Sequence, residues 1–288
     1  MPMNSATKPA PGRFYAEKGR TMFAKIGFFH FGKKHAEPFD ELRKELERVQ
    51  QCKGPLAGSL IVLPEGFNIR KLYTDTTRRC QFYPEDPLCL QGIAKEFGVA
   101  FVVGLILKQQ CGGTPKRYSS AYFIDGSSQV LMCHKSCKDG FEAKDIRDDD
   151  TEHNYTACEV GSCDKRNPYD GVGIKIGALI CADVNCPKTQ EVPEQCYWKR
   201  VLRIAKDSDV ICIPAHMMDK GVLNIECDEN GSRRVALTPD SRILILANSR
   251  PDGISSLITD SASIIRGGSC GPENEVVTLP LDSLTVGR

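Results

Sequence analysis

Three residues of different chemistry stand at the ends of apolar segments in this chain of 288 residues. Glu65 follows the run LIVLP, Lys135 follows LMCH, and Cys181 follows IGALI. Polar side chains just past buried strands are held by rigid backbone and can face a cleft, where catalytic groups are often built. Each residue taken alone also fits a blander interpretation, as a solvated charge or a buried apolar thiol.

Taken together, the three side chains have the chemistry of an acyl-transfer site. A thiol becomes a good nucleophile when a nearby cation or base favours its thiolate, and Lys135 and Glu65 would supply these groups to Cys181. Glu65 would take the thiol proton and later pass a proton to a departing amine. Lys135 would stabilise the oxyanion of the tetrahedral intermediate, together with the backbone N–H that follows the cysteine. Such a site needs no metal and no cofactor, and the sequence predicts neither.

The elements that must position these residues alternate between strands and helices. Buried strands alternating with helices are typical of an α/β fold in which helices pack outside sheets. A hairpin is predicted where Ser119–Ile124 and Gln129–Cys133 flank an Asp-Gly turn. Polar residues 136–168 are predicted to form a long loop. The apolar patterns predict further strands over Met22–Phe31, Leu60–Pro64, Val99–Leu107, Val172–Cys181, Asp209–Pro214 and Arg242–Asn248, short strands after residue 255, and helices over Pro38–Cys52, Pro87–Phe97 and Gln195–Lys206.

The composition excludes several classes of protein. With 41% hydrophobic and 26% charged residues the chain is too apolar for disorder, and a net charge of +1 provides no global field for binding nucleic acid. No apolar run approaches the roughly 20 residues of a membrane-spanning helix, so a membrane is not a predicted partner either. Residues 1–21 lack the apolar centre of a secretory signal. We therefore predict a flexible tail over 1–21, one domain over 22–288 and a cytoplasmic location.

The chain contains 14 cysteines, which raises the question of disulfides or a metal site. Without an export signal, free thiols are favoured over a disulfide framework. The closest pairs are Cys133 with Cys137, Cys158 with Cys163, and Cys181 with Cys186. None has the C-x-x-C spacing with which structural zinc sites usually begin, so no zinc site is predicted.

The segments around the three residues resemble those of the nitrilase superfamily, the carbon-nitrogen hydrolases, whose members use a Glu, Lys and Cys triad. The matching segments occur in the family's order. They are Leu60–Asn68 (LIVLPEGFN), Cys133–Ser136 (CHKS) and Gly177–Pro187 (GALICADVNCP), with weaker matches at Asp209–Ala215, Leu246–Arg250, Gly253–Asp260 and Glu275–Asp282. The resemblance thus extends from about Met22 nearly to the end of the chain.

The resemblance implies a four-layer αββα sandwich and a homo-oligomer, dimer or higher, formed through outer helices. It also implies hydrolysis of an amide or N-carbamoyl group of a small molecule, through a cysteine thioester and with release of ammonia or an amine. Many family members carry a second glutamate that orients the lysine. Glu152 best fits the family's spacing and Glu142 is the other candidate, while both also fit the solvated charges of an acidic loop.

Four further residues are candidates for binding substrate. Ala182 and Asp183 directly follow the proposed nucleophile, and His216 occupies a position that lines the pocket in the resembling family, although a structural histidine fits equally well. Asn68 begins a cationic segment in which a guanidinium could hold a substrate carboxylate. The alternative is a solvated basic loop offset by nearby carboxylates. The other residues of that segment are Arg70, Lys71, Tyr73, Arg78 and Arg79.

Two departures from the family pattern bear on activity. The family usually places an aromatic residue after the cysteine, but here Ala182 stands there, which favours the amidase and carbamoyl-hydrolysing branches over true nitrile hydrolases. The segment 232–241 (SRRVALTPDS) also lacks the usual Glu-Asn part. The alternatives left open are a nitrile hydrolase or acyltransferase of the same superfamily, and a non-catalytic ligand-binding protein on the same fold.

Overall fold

The structure is a computed structural model that describes residues 23–30, 37–74, 77–82, 86–111, 114–135, 166–184, 201, 203–204, 206–216, 243–248, 254–258, 263–267 and 274–281. Two helices are bounded in this part of the chain, α1 (Pro38–Lys53) and α2 (Asp86–Phe97). The strands are β1 (Lys25–His30), β2 (Ser59–Glu65), β3 (Ile69–Thr74), β4 (Thr77–Phe82), β5 (Ala100–Cys111), β6 (Thr114–Ile124), β7 (Gln129–His134), β8 (Ile176–Ala178), β9 (Val210–Ala215), β10 (Ile243–Asn248), β11 (Ile254–Ile258), β12 (Ser263–Gly267) and β13 (Glu275–Pro280).

Two mixed sheets form the centre of the fold. The first has the strand order β13-β1-β2-β5-β6-β7 and the second the order β12-β11-β10-β9-β8. In the first sheet β1, β2 and β5 are parallel, and in the second β8, β9 and β10 are parallel. A parallel connection needs a crossover, and helical residues accordingly precede β2, β5 and β9, as the sequence predicts.

Alternate residues of β2 show how the layers stack. Leu60 and Val62 belong to an apolar cluster shared with β9 and β10 of the second sheet. Ile61 and Leu63 belong to a second cluster, formed with α1 and α2. Since side chains of a strand point alternately to its two faces, the first sheet is covered by helices on one side and by the second sheet on the other.

A further helical segment covers the outer face of the second sheet. Val201 and Ile204 are helical and fully buried in the apolar cluster that includes β8, β9 and β10, and Ile204 lies against Gly177 of β8. The order of layers is therefore helix, sheet, sheet, helix, which agrees with the predicted αββα sandwich.

The local sequence of α1 explains where this helix begins, where it ends and which of its faces is buried. Pro38 occupies the first turn, where its missing N–H costs no hydrogen bond, and Asp40 and Glu41 favour the positive end of the helix. Gly54 follows the last turn with φ +83°, a backbone conformation that glycine adopts without strain. The buried positions Leu42, Leu46 and Val49 recur at helical spacing and face the first sheet.

A bulge at Pro64 turns Glu65 toward the second sheet. Leu63 pairs with Val103 of β5, whereas Glu65 pairs with Gly104, so one extra residue is inserted in β2. Proline cannot donate to the sheet ladder and is accommodated at such bulges. In a regular strand Glu65 would share the helix-facing side of Leu63, and the bulge instead places it on the face between the two sheets.

Gly104 allows the backbone of Glu65 and the second sheet to approach closely. A Cβ atom on Gly104 would lie 2.7 Å from Glu65 Cα and 3.0 Å from Cβ of Pro214 in β9. Real Cβ atoms essentially never come closer than 3.0 Å to backbone, so any larger residue here must displace Glu65 or Pro214. The absence of a side chain at residue 104 therefore sets the position of Glu65 between the sheets.

Replacing Gly104 with Ala should destabilise the protein by about 1–3 kcal/mol, because the added methyl group overpacks this contact. The matched control is Gly92→Ala in α2, where a Cβ would meet nothing within 4 Å. That change should stabilise the protein by about 0.5–1 kcal/mol, because alanine loses less backbone entropy in a helix than glycine. Chemical denaturation of the two variants measures both effects, and equal effects would contradict the assigned role of Gly104.

Two segments differ from the sequence-based prediction. Ile69–Thr74 and Thr77–Phe82 pair as antiparallel strands, with Tyr73 opposite Arg78, where one of the two interpretations of this basic segment was a loop. The predicted strand Val172–Cys181 is reduced to Ile176–Ala178, because residues 171–174 form turns and Cys181 begins a short 3-10 helix. Within the described segments no helix is both long and apolar enough to span a bilayer. The predicted N-terminal tail over 1–21 lies outside the described residues.

Candidate active site

Glu65 and Lys135 form a buried ion pair on the face between the sheets. The Nζ atom of Lys135 lies 3.0 Å from Oε1 of Glu65, and both side chains are buried. Lys135 follows β7 directly, and its backbone N–H donates to the carbonyl of Ser119 in β6 at 2.8 Å. Two of the three residues predicted to do chemistry are thus in direct contact although 70 positions separate them.

Ser119 contacts the same carboxylate. Its hydroxyl group donates a hydrogen bond to Oε1 of Glu65 at 2.7 Å, so this oxygen accepts from both the serine and the ammonium group of Lys135. Hydrogen bonds to an ionised acceptor are among the stronger ones in proteins. The carboxylate is therefore held in one orientation by two donors from neighbouring strands.

A contact between the two sheets brings the chain leading to Cys181 toward this pair. The Sγ atom of Cys133 in β7 lies 3.6 Å from the carbonyl oxygen of Ala178 in β8. Two residues beyond Cys133 the chain reaches Lys135, and three residues beyond Ala178 it reaches Cys181. Pro214 of β9, which lies close to Gly104 as the Glu65 backbone does, is two positions beyond Cys212, the pairing partner of Ala178. All three predicted catalytic residues therefore leave their strands at the same end of the space between the sheets.

Cys181 has an unusual backbone conformation. Its φ angle is +43°, the only positive value for a non-glycine residue among the described residues. The residue is 3% exposed and begins a 3-10 helix over Cys181–Val184, in which the N–H of Asp183 donates to the carbonyl of Ile180 at 2.8 Å. A left-handed conformation costs an L-residue of order 1–3 kcal/mol and is concentrated at functional sites. The turn ends the strand and presents the thiol at the start of a new element.

Asn167 fixes the strand that leads to Cys181. Its side-chain amide donates to the carbonyl of Ala178 at 2.8 Å and accepts from the N–H of Ala178 at 2.9 Å. Among the described strands β8 is at the edge of the second sheet, and the backbone of Tyr169 bridges Ile176 on that side. The Asn167 amide takes the place of a strand partner and satisfies the backbone groups that the edge leaves open.

Asn68 makes the corresponding contact beyond Glu65. Its amide donates to the carbonyl of Ile106 and accepts from the N–H of Ile106, each at 2.9 Å, and the side chain is fully buried. These two bonds join the turn after Glu65 to β5 and fix the base of the β3–β4 hairpin. They give Asn68 a structural role, and its contact with substrate stays a prediction.

The other predicted substrate-binding residues lie near the same end of the sheets. His216 directly follows β9, two residues beyond Pro214, and is 3% exposed. Asp183 is fully buried in the 3-10 helix that begins at Cys181, whereas the side chain of Ala182 is outside the described part. Contact of these residues with substrate stays a prediction. Both candidates for the second glutamate, Glu142 and Glu152, also lie outside the described residues.

The described part of the chain contains no group of three or more His, Cys, Asp or Glu side chains that could hold a metal ion. Among the cysteines whose side chains are described, Cys133, Cys181 and Cys212 are buried and Cys52 and Cys89 are exposed. Burial strongly raises the pKa of the Cys212 thiol, since an apolar environment disfavours the thiolate. Cys212 thus provides an internal example of a structural cysteine that stays protonated.

Several site features are not apparent from the sequence-based prediction. Ser119, Gly104 and Asn167 had no assigned function, because serine, glycine and asparagine occur at many positions for many reasons. One available signal was Pro64, whose place inside an apolar run indicates a bulge. The role of Asn167 is visible only once the strand order shows that the nearby strand β8 lies at the edge of its sheet.

The fold is similar to solved structures of one amidase. The amidase from Nesterenkonia sp. has a TM-score of 0.56 and 19% identity, over 93% of this chain and 94% of that chain. A mutant of the amidase from Nesterenkonia sp. AN1, with the acetamide moiety of fluoroacetamide covalently added at its active-site cysteine, has a TM-score of 0.52 and 16% identity, over 95% and 96% of the two chains. Another mutant, in complex with butyramide, has a TM-score of 0.51 and 18% identity, over 93% and 95%.

A further mutant of the Nesterenkonia AN1 enzyme is described as an amidase from the nitrilase superfamily and has a TM-score of 0.50. The chain therefore has the fold of nitrilase-superfamily amidases, which confirms the predicted α/β sandwich. A scan against protein-family models and a search of curated proteins found no match to the sequence. The likeness thus rests on three-dimensional structure, at identities that establish the fold and leave activity to be argued from the site.

Proposed function

We propose that the protein is a carbon-nitrogen hydrolase that cleaves an amide or N-carbamoyl group of a small molecule. The observation that carries the proposal is the buried Glu65–Lys135 pair at the end of the sheet space where β8 leads into Cys181. The structural likeness to amidases, one of which carries a covalent adduct at its active-site cysteine, supports the same reaction class.

In the first half of the proposed reaction the enzyme is acylated. Glu65 accepts the thiol proton of Cys181 as sulfur attacks the carbonyl carbon of the substrate, forming a tetrahedral intermediate with a negative oxygen. The Lys135 ammonium and the backbone N–H that follows the cysteine stabilise this oxygen. When the C–N bond breaks, the leaving nitrogen takes the proton from Glu65 and departs as ammonia or an amine, leaving a thioester.

In the second half water hydrolyses the thioester. Glu65, again ionised, removes a proton from water, whose oxygen attacks the thioester carbon. The second tetrahedral intermediate forms at the same oxyanion donors and collapses by expelling the Cys181 thiolate, which regains the proton from Glu65. The products are a carboxylic or carbamic acid and the free enzyme, and the cycle uses no metal or cofactor.

The buried position of the carboxylate is compatible with this double role. In bulk water the attraction between a carboxylate and an ammonium group is weak. Burial of both groups away from water strengthens that attraction. The same exclusion of water favours transfer of the thiol proton from Cys181 to Glu65. That the subunits associate and that the protein is cytoplasmic stay predictions from the sequence.

The experiment that tests the function is a screen of small aliphatic amides, N-carbamoyl compounds and nitriles with an ammonia readout. We expect ammonia and the corresponding acid from amides such as acetamide or butyramide, the latter bound by a structurally similar amidase. In the presence of hydroxylamine, a hydroxamate should form because the thioester accepts other nucleophiles. Ammonia from nitriles alone would favour the nitrile hydrolase, hydroxamate in excess of acid would favour an acyltransferase, and ligand binding without any product would favour a non-catalytic protein.

A further inference from the structure

We propose that Ser119 is a positioning residue for the proposed hydrolase reaction, holding the Glu65 carboxylate and the Lys135 backbone in one arrangement. The inference rests on the proposed function, because it assigns a role within that reaction. The hydroxyl group of Ser119 donates to Oε1 of Glu65 at 2.7 Å, and its carbonyl accepts the N–H of Lys135 at 2.8 Å. One residue therefore contacts both members of the ion pair through different atoms.

The strand register explains why Ser119 can make both contacts. Ser119 pairs with Ile106 in β5, two residues beyond Gly104, and so lies on the face that Gly104 and the bulged Glu65 share. Lys135 follows β7, the partner of β6 on its other side. Ser119 thus lies between the strand that carries the base and the strand that carries the cation.

The next residue, Ser120, makes its hydrogen bond on the opposite face of the sheet. Ser120 pairs with Leu105, and its hydroxyl group lies 2.6 Å from Nδ1 of His134, whose ring stacks against Tyr118. Leu105 belongs to the apolar cluster on the helix-covered side of the sheet. Two adjacent buried serines therefore make hydrogen bonds of similar length on opposite faces, and only Ser119 faces the ion pair.

Because Ser119 and Lys135 donate to the same oxygen of Glu65, the serine affects the orientation of the proposed base. Oε1 of Glu65 accepts from both Ser119 and Lys135, so these two donors fix the orientation of the carboxylate. Without the hydroxyl group the carboxylate could rotate about its last bond toward the ammonium group, away from its aligned position. A general base must keep hydrogen-bond geometry to the group it deprotonates, so such a rotation lowers turnover rather than substrate binding.

Removing the hydroxyl group by Ser119→Ala should therefore lower kcat by about 10- to 100-fold, the range expected from a lost hydrogen bond to a charged group. KM should change less than about threefold, because the serine touches the base and not the substrate.

The experiment compares Ser119→Ala, Ser119→Thr and Ser120→Ala with the wild-type protein, using the best amide from the screen. Ser119→Thr keeps the hydroxyl group and should recover most of kcat. Ser120→Ala is the matched control, because it removes a buried hydroxyl group of the same strand on the other face, and should change kcat less than about threefold. Thermal unfolding of all four proteins identifies a variant that fails to fold.

The outcomes separate the inference from the proposed function. Wild-type turnover with an unchanged kcat in Ser119→Ala would overturn the role of Ser119 and leave the hydrolase intact. Equal losses in Ser119→Ala and Ser120→Ala would also overturn it, because a general weakening of β6 would then suffice. Absence of turnover in the wild-type protein would instead overturn the proposed function.

Discussion

Replacing Lys135 with Met should abolish most activity and also destabilise the fold. The change removes the cation that stabilises the oxyanion, and loss of one such donor lowers kcat by about 10²–10³-fold. It also leaves the Glu65 carboxylate buried without its counter-charge. Breaking a buried pair from one side costs about 3–5 kcal/mol, because the remaining charge is neither paired nor hydrated. Ammonia release and chemical denaturation measure the two effects.

A double-mutant cycle separates the electrostatic cost from the catalytic one. Glu65→Gln keeps the shape of the side chain and an oxygen acceptor for Ser119, so we expect a smaller loss of stability than for Lys135→Met. Its activity should still fall by about 10²–10⁴-fold, since an amide cannot act as a general base. In the double variant the stability should recover above that of Lys135→Met alone, while activity stays low.

The matched control for the lysine is Lys25→Met at the start of β1. The Lys25 side chain also donates a hydrogen bond, to the carbonyl of Pro55 at 2.9 Å, but it is exposed. Exposed polar interactions contribute little, so this variant should lose less than about 1 kcal/mol and retain activity. Similar stability losses for Lys25→Met and Lys135→Met would contradict the buried, unsolvated character of the Glu65–Lys135 pair.

Replacing Cys181 with Ala should lower turnover by at least about 10⁴-fold, because the thioester cannot form without the sulfur atom. The stability should change little, since alanine keeps the Cβ atom and the same backbone conformation at φ +43°. Ammonia release and thermal unfolding measure these effects. Butyramide binding by the inactive variant, followed by calorimetry, would show that the site survives the substitution.

Cys212→Ala is the matched control for the nucleophile. Cys212 is fully buried in β9, and its raised pKa keeps it a neutral thiol that serves packing. This variant should lose stability by an amount typical of a small cavity and keep its kcat. Retained turnover in Cys181→Ala, or lost turnover in a folded Cys212→Ala, would contradict the assignment of the nucleophile.

Much of the site could be predicted because strand ends are visible in a sequence. The apolar run before Glu65 ends at a proline, and the run before Lys135 ends where polar residues begin, so both residues were placed at the edge of a sheet. The contact between them at 3.0 Å follows from strand order, which the periodicity of single strands does not reveal. Their pairing was inferred from chemistry and family resemblance rather than from geometry.

The rest depended on interactions between segments distant along the chain. The β3–β4 hairpin joins Ile69–Thr74 to Thr77–Phe82 in a basic segment that lacks the apolar alternation of a half-buried strand. The strand before Cys181 is shorter than its apolar residues predict, because residues 171–174 form turns and bends and the strand ends at Ala178. Ser119 was unremarkable in sequence, because only the register of β5, β6 and the bulge in β2 turns it toward Glu65.

The central claim is that a cysteine, a lysine and a glutamate from distant segments act on one another at a single site. Competitive labelling with a limiting amount of iodoacetamide at pH 7, read by peptide mass spectrometry, tests it most directly. Cys181 is buried, whereas Cys52 on α1 and Cys89 on α2 are exposed. The labelling rates of these two exposed thiols are the reference for that of Cys181. We predict that Cys181 is modified faster than both in the wild-type protein and loses this advantage in Lys135→Met. Modification of Cys181 more slowly than the two exposed thiols would contradict the account.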